Sequence, residues 1–447
     1  MEKQLIIENT TAVTMNAARE IITNASIVIQ GNQILEVTQA DDLRTRFPDA
    51  QFIDGRGKIT LPGLINAHTH IAMSLQKGVT LMLDDGLYRV MWPLEKNLTD
   101  DDVYLGSLAG AGETVKGGAT TIVDHYFFAE DVAKAVTEVG LRGVLGHTIM
   151  SRMGPITGER ELNAGLDFID AWKDRHPLVT PWLAPHATDT VSREWLLKLR
   201  QAATDKHVGL HLHIAQSRKE RDYINTEFGM GCVEYLAEMD FLGPDVVAAH
   251  CIFITEKEMD LLAATRTNPV YCPMGHCLNA RAARAWEMVQ KGANVLLATD
   301  CVTSNNVMDL LGELRIAGAA QKLLSDDASA LPASKILEMV TVDAAAAIGM
   351  EHQLGRLEPG YLADIILIDF FNLSTSPTYS LIDNIVYCCN GRDVHTVIVN
   401  GNIVVSDHQL TTVDETALTA EIEARGQQLV QKAIAGDAEL QKIIYKA

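Results

Sequence analysis

The chain has 447 residues, 47% of them hydrophobic, which is ample for a large core, and a formal net charge of −21. That charge disfavours a nucleic-acid polymer as partner, since such binders need a basic face, and otherwise bears only on solubility. No uncharged apolar run of about 18 residues occurs, so no membrane span is read.

The chain opens on Met1-Glu2-Lys3-Gln4, without a basic stretch followed by an apolar block, so no signal peptide is expected. Residues 1–57 read as a small β module. Leu5-Ile6-Ile7 and the runs 25–29 and 33–37 are separated by turn residues such as Gly31-Asn32. From Leu64 onward, short β-rich runs alternate with longer amphipathic stretches, the pattern of parallel βα units. Eight runs are predicted, at 64–70, 119–124, 142–147, 179–184, 208–213, 246–250, 269–272 and 294–300, with helices between them such as 103–115, 192–203 and 256–264. This predicts an α/β fold with a (β/α)₈ barrel over 58–354, whose active site would lie at the C-terminal strand ends. Helices are expected at 305–323 and 334–348. Strands return at 363–368 and 394–405, turned by Asn400-Gly401-Asn402. They are expected to join the N-terminal strands in a small β-sandwich domain built from 1–57 and 355–447, with 415–434 as a closing surface helix.

Polar residues recur at the predicted strand ends. His68 and His70 end the first run, and residues two apart on a strand share a face. Asp124 ends the second, His186 lies just past the fourth, and His213, His250 and Asp300 end the fifth, sixth and eighth. In the fifth run, residues 208, 210, 212 and 214 share an apolar face suited to surrounding helices, which leaves His211 and His213 for the barrel interior. Three histidines and one aspartate can hold a divalent metal and leave room for a water, lowering its pKa toward neutrality. Asp300 could both bind such an ion and take the water's proton, and His250 could orient the nucleophile or the substrate. For Asp124 and His147 an ordinary hydrogen-bonded role is at least as good a reading. Asp300 ahead of Thr303-Ser304-Asn305-Asn306 also fits a helix start. The seven scattered cysteines, an odd number, fit small buried residues and reduced thiols in the cytosol.

Motifs along the whole chain then acquire a common source. Leu61-Pro62-Gly63-Leu64-Ile65-Asn66-Ala67-His68-Thr69-His70, Trp92-Pro93-Leu94-Glu95, Gly117-Gly118-Ala119-Thr120-Thr121, Ala184-Pro185-His186, Ala249-His250-Cys251, Thr299-Asp300, Ser304-Asn305-Asn306 and Glu358-Pro359-Gly360-Tyr361-Leu362-Ala363-Asp364 resemble the amidohydrolase superfamily. Within it the chain looks closest to the methylthioadenosine/S-adenosylhomocysteine deaminases and triazine hydrolases of the cytosine-deaminase-like branch. The resemblance implies one divalent ion, zinc or else iron or manganese, on His68, His70, His213 and Asp300. It implies His250 on the attacking water or substrate, His186 on the substrate, Glu95 on ribose hydroxyls and Arg152 as a further substrate contact. It also implies a small heterocyclic substrate and, by analogy, a homo-oligomer. The chain departs from the pattern at Gln216, where relatives carry a proton-shuttling glutamate, and at Tyr271 and Cys301. Glutamine cannot ionise. The expected activity is therefore hydrolytic deamination of an amino-substituted nitrogen heterocycle, adenosine-type nucleosides first. A triazine-like or other cyclic amidine substrate, or an impaired ligand-binding variant, stands as the alternative.

Overall fold

A computed structural model describes residues 4–79, 86–435 and 437–445. Residues 1–3, on which the reading of the chain start rests, lie outside them. Two sheets organise the described residues. The chain begins with β1 (Gln4–Val13), β2 (Ile21–Gln30), β3 (Gln33–Thr38), β4 (Gln51–Asp54) and β5 (Lys58–Pro62). It continues through the parallel strands β6 (Leu64–Thr69), β7 (Ala119–Tyr126), β8 (Arg142–Ile149), β9 (Val179–Pro185), β10 (Leu210–Ile214), β11 (Val246–His250), β12 (Asn268–Tyr271) and β13 (Leu296–Leu297). It ends with β14 (Ile365–Asp369), β15 (Val394–Val399), β16 (Asn402–Ser406) and β17 (Gln409–Leu410).

β6 to β13 pair in sequence order as an eight-stranded barrel. The last gap is bridged by Thr69 against Asp300, by Asp300 N–H donating to His68 O at 3.1 Å, and by the Asn66 side chain, which bonds both Thr299 N and Thr299 Oγ1. Leu210, Leu212 and Ile214 of β10 join the apolar layer shared with the helices, as period-two alternation requires. Inside the barrel, Ile65, Val123, Val144, Trp182, Val247, Val270 and Leu296 form a separate cluster with Ala344 and Ala345 of helix Val342–Ala347. The barrel is thus a packed core, and its polar layer lies at the strand ends. Ile65 and Ala67 belong to this interior, yet His68 and His70 also reach the site. The β6–β7 register slips between Asn66 and Thr69, so the strand changes phase before its end.

The other sheet runs β17-β16-β15-β14-β5-β1-β2-β3, with β4 on β1. Both chain ends build it, and β5 joins it through antiparallel pairing with β14. Arg142 of β8 ties the two sheets together. Its Nε and Nη2 donate to the two carboxylate oxygens of Asp364 at 2.9 and 3.0 Å, and both side chains are buried.

The helices depart from expectation after the barrel. The first begins at Leu310 rather than 305, capped by Asp309, whose side chain accepts from Gly312 N–H. Asn305 instead spans the loop, donating to Thr299 O and Glu313 Oε1. The stretch 334–348 is two helices, Ala333–Met339 and Val342–Ala347. Between them Thr341 leaves helical geometry (φ −129°, ψ −96°), and its hydroxyl donates to Leu337 O. The helix Glu415–Ile434 matches its expected range, with Asp414 as N-cap, and one more helix, Ala438–Tyr445, follows it. Among the described residues, no helix is long and apolar enough to cross a membrane.

Candidate active site

A cavity opens at the C-terminal ends of the barrel strands. Its lining includes His70, Glu95, His186, His213, Gln216, His250 and Asp300 from the expected set, together with Tyr88, Trp92, His125, Tyr126 and Cys301. His68 lies beneath it, fully buried. Arg152 is not part of the lining. Its guanidinium stacks on Tyr223, 4.7 Å from the ring centre.

The histidines are held by their Nδ1 atoms. His70 Nδ1 lies 2.8 Å from His125 O, and His213 Nδ1 lies 2.7 Å from His186 O. A carbonyl only accepts, so each Nδ1 carries the proton and each Nε2 presents a bare lone pair. These two Nε2 atoms are 3.2 Å apart. Neither can donate to the other, so the contact is repulsive unless a cation lies between them. Two nitrogens at the usual zinc distance of about 2.0–2.1 Å with a tetrahedral angle stand about 3.3 Å apart, so the spacing fits. Asp300 Oδ1 lies 3.4 Å from His68 Nε2 and 3.8 Å from His70 Nε2. His68 Nε2 is buried without a hydrogen-bond partner, a further atom oriented for an ion. The donor set therefore suits a divalent metal.

Supporting contacts orient these groups. His68 Nδ1 meets His211 Nε2 at 2.8 Å, and His250 Nδ1 meets His276 Nε2 at 3.2 Å. Ser304 Oγ donates to Asp300 Oδ2 at 2.7 Å. His186 Nδ1 pairs with Thr190 Oγ1 at 2.9 Å. His250 (φ 76°) and Asp300 (φ 61°) both occupy the left-handed region, where non-glycine residues are strained and tend to serve a site. Burial holds the imidazoles of His68, His213 and His250 below the ordinary histidine range, which keeps them in the neutral, ligating form. Burial alone would raise the Asp300 carboxyl, but the imidazoles beside it, His68 first, hold it below the usual carboxylate range.

Across the cavity, Glu95 lies at the end of the short helix Trp92–Glu95 and is 5% exposed, far from a solvated loop carboxylate. Tyr126 O–H donates to its Oε1 at 2.8 Å, and burial pushes its carboxyl up to about 7. Gln216 lines the cavity. Its backbone is pinned by Glu220, whose Oε2 accepts from Gln216 N–H at 2.8 Å, and by Arg281, which donates to Gln216 O. Asp124 serves the fold, accepting from Thr69 Oγ1 and Ile71 N, and His147 pairs with Glu161 at 2.7 Å.

Sequence reasoning missed His125, Tyr126, His276 and Ser304. For His125 a signal existed. The predicted second run stops at Asp124, whereas β7 continues to Tyr126, and His125 shares the inner face with Val123.

The model of the amidohydrolase family matches residues 59–404. A 5'-deoxyadenosine deaminase of Methanosarcina mazei is 34% identical over 432 residues, covering 96% of this chain and 99% of that protein. A 5-methylthioadenosine/S-adenosylhomocysteine deaminase of Halothermothrix orenii is 38% identical over 428 residues, covering 94% and 98%. Among solved structures, an adenosine deaminase from Xanthomonas campestris with bound zinc superposes with a TM-score of 0.91 at 27% identity, covering 96% of this chain and 98% of that one.

Proposed function

Because the chain belongs to the amidohydrolase family, we propose that it is a metal-dependent hydrolytic deaminase releasing ammonia from an adenosine-type nucleoside. The observation that carries this reading is the buried carboxylate of Glu95 in the same cavity as the imidazoles and Asp300. One end of the cavity suits hydrolysis at a ring carbon, and the other suits a pair of hydroxyls.

His68, His70, His213 and Asp300 would hold one divalent ion, with zinc the expected metal. When bound, that ion supplies Lewis acidity that brings a water's pKa toward neutrality. Asp300, steadied by Ser304, takes the proton from the attacking water. His250, fixed through Nδ1 by His276, presents Nε2 to the nucleophile or to the ring substituent. Water adds at the carbon bearing the exocyclic amine, the proton held by Asp300 passes to the departing nitrogen, and ammonia leaves. Gln216 hydrogen-bonds the ring but carries no proton. His186 contacts the bound heterocycle, and Glu95 accepts the ribose hydroxyls. The seven cysteines are free thiols, in keeping with a cytosolic enzyme.

Gln216 favours a second reading, in which the ring is another cyclic amidine such as a triazine. An ammonia-release screen decides between them, run over 5'-substituted adenosines, free aminopurines, pterins, pyrimidines and triazines. The expected result is preferential turnover of the ribosylated adenines, reduced by about 10²–10⁴-fold in Asp300→Asn. Turnover of triazines alone would select the second reading. Stoichiometric binding without turnover of any compound would reject both.

A further inference from the structure

The turn after β10 is held by more than a helix start requires. The helix Arg218–Phe228 begins with Ser217-Arg218-Lys219-Glu220, and the helix Glu256–Thr265 begins with the matching pattern Thr255-Glu256-Lys257-Glu258. In the second, Glu258 Oε2 accepts from the N–H of the N-cap residue Thr255 at 2.8 Å, which completes a capping box. Glu220 does otherwise. Its Oε2 reaches one residue past the cap and accepts from Gln216 N–H at 2.8 Å, and Ala215 N–H donates to the same carboxylate. Ala215 lies in the left-handed region (φ 51°), and a turn of that kind points successive N–H groups at one anion.

The other oxygen is anchored on the neighbouring turn. Thr188, which follows β9, donates its hydroxyl to Glu220 Oε1 at 2.6 Å, and both side chains are wholly buried. Burial first, and then the nearby Asp189 carboxyl, push Glu220 up, while the donors from Thr188, Gln216 and Ala215 pull it down. On the far side of the same residue, Arg281 donates to Gln216 O. The backbone of Gln216 is thus fixed at both its N–H and its carbonyl, while its side chain lines the cavity. A carboxylate offers two equivalent acceptor oxygens, whereas a carboxamide offers one acceptor and one donor group that cannot be interchanged. A glutamine at this position depends on its backbone setting more than a glutamate would.

We propose that Glu220, anchored by Thr188, is a positioning residue for ring recognition, acting through Gln216. It touches no substrate itself. The inference rests on the contact between Gln216 and the heterocycle in the proposed function.

The test is a double-mutant cycle on the zinc-loaded full chain, read as kcat/KM for the best substrate of the ammonia-release screen. Glu220→Gln should lower kcat/KM about tenfold, the scale of one misplaced neutral hydrogen bond, with zinc content equal to that of wild type. In a Gln216→Ala background the same substitution should change kcat/KM by less than about twofold, because the residue it positions is gone. Thr188→Val should reproduce the loss without altering Glu220, and Thr188→Ser, which keeps the hydroxyl, should restore activity to within about twofold of wild type. A fall of equal size with and without Gln216 would show a merely structural role and overturn the inference, as would a Thr188→Ser variant no more active than Thr188→Val. Either result leaves the proposed function standing. A wild-type chain that turns over none of the screened compounds overturns the proposed function and this inference with it.

Discussion

Replacing Glu95 by glutamine should move activity and stability in opposite directions. The side chain is buried, and burial raises its carboxyl from 4.5 to about 7. Between those values the folded protein binds more protons than the unfolded chain. This group's contribution to stability therefore falls as pH rises through the window, and the loss is complete above about 7. The gap corresponds to about 3 kcal/mol. Glutamine keeps an acceptor for Tyr126 O–H and never ionises. At pH 8.5 the variant should thus be more stable by up to about 3 kcal/mol, with little gain near pH 4.5. Recognition runs the other way, since hydrogen bonds to a charged acceptor are worth about 1.5–3 kcal/mol. The variant's kcat/KM for ribosylated adenines should fall roughly 10–150-fold and that for free bases should not. Urea unfolding of the metal-free proteins at both pH values, beside ammonia release from both substrate types, reads each effect. A stability difference independent of pH would refute the assignment of a buried, raised carboxyl. An equal loss on ribosylated and free substrates would refute its role in reading the sugar.

Elemental analysis of protein prepared without chelator should find about one divalent ion per chain; none, in cells supplied with zinc, manganese and iron, would end the metal reading. Gln216→Glu should not raise turnover of the chain's own substrate. A gain of about 10²–10⁴-fold on adenosine-type nucleosides would instead mark an impaired aminohydrolase. Arg142→Ala strands the buried Asp364 carboxylate between the two sheets and should cost about 3–5 kcal/mol in urea unfolding, with partial recovery in Arg142→Ala/Asp364→Ala.

The barrel was legible because its signals are local and periodic. β10 alternates Leu210, Leu212 and Ile214 with His211 and His213, and that pattern alone assigns the two faces. The parts that escaped depend on residues far apart in sequence. Glu95 is singled out by the resemblance, but its burial is not, because it depends on Tyr126, 31 residues later, whose O–H donates to it. β13 has only two paired residues, and the rest of its predicted run is held by Asn66, 233 positions earlier. Asn305 looks like part of a helix start, but Thr299 O and Glu313 engage its side chain. Thr341 interrupts a stretch of good helix formers through its own backbone geometry, which residue periodicity does not reveal. His125 was lost to a strand end placed two residues short.

The nine-stranded sheet has a consequence for the order in which the molecule is made. β5 pairs with β14 in the register Ile59 to Ile368, so the first strands are synthesised about 300 residues before the partner that completes their sheet. At about 5–20 residues per second, that interval lasts roughly 15–60 s. During it, β1 to β5 can pair among themselves while the edge of β5 that receives β14 stands open to other chains. The barrel strands pair in the order they emerge, and only the closing contact of Asn66 with Thr299, 233 positions later, waits for the last of them. The catalytic half of the chain can thus assemble progressively behind the ribosome, whereas the sheet beside it is closed last, by the tail of the same molecule.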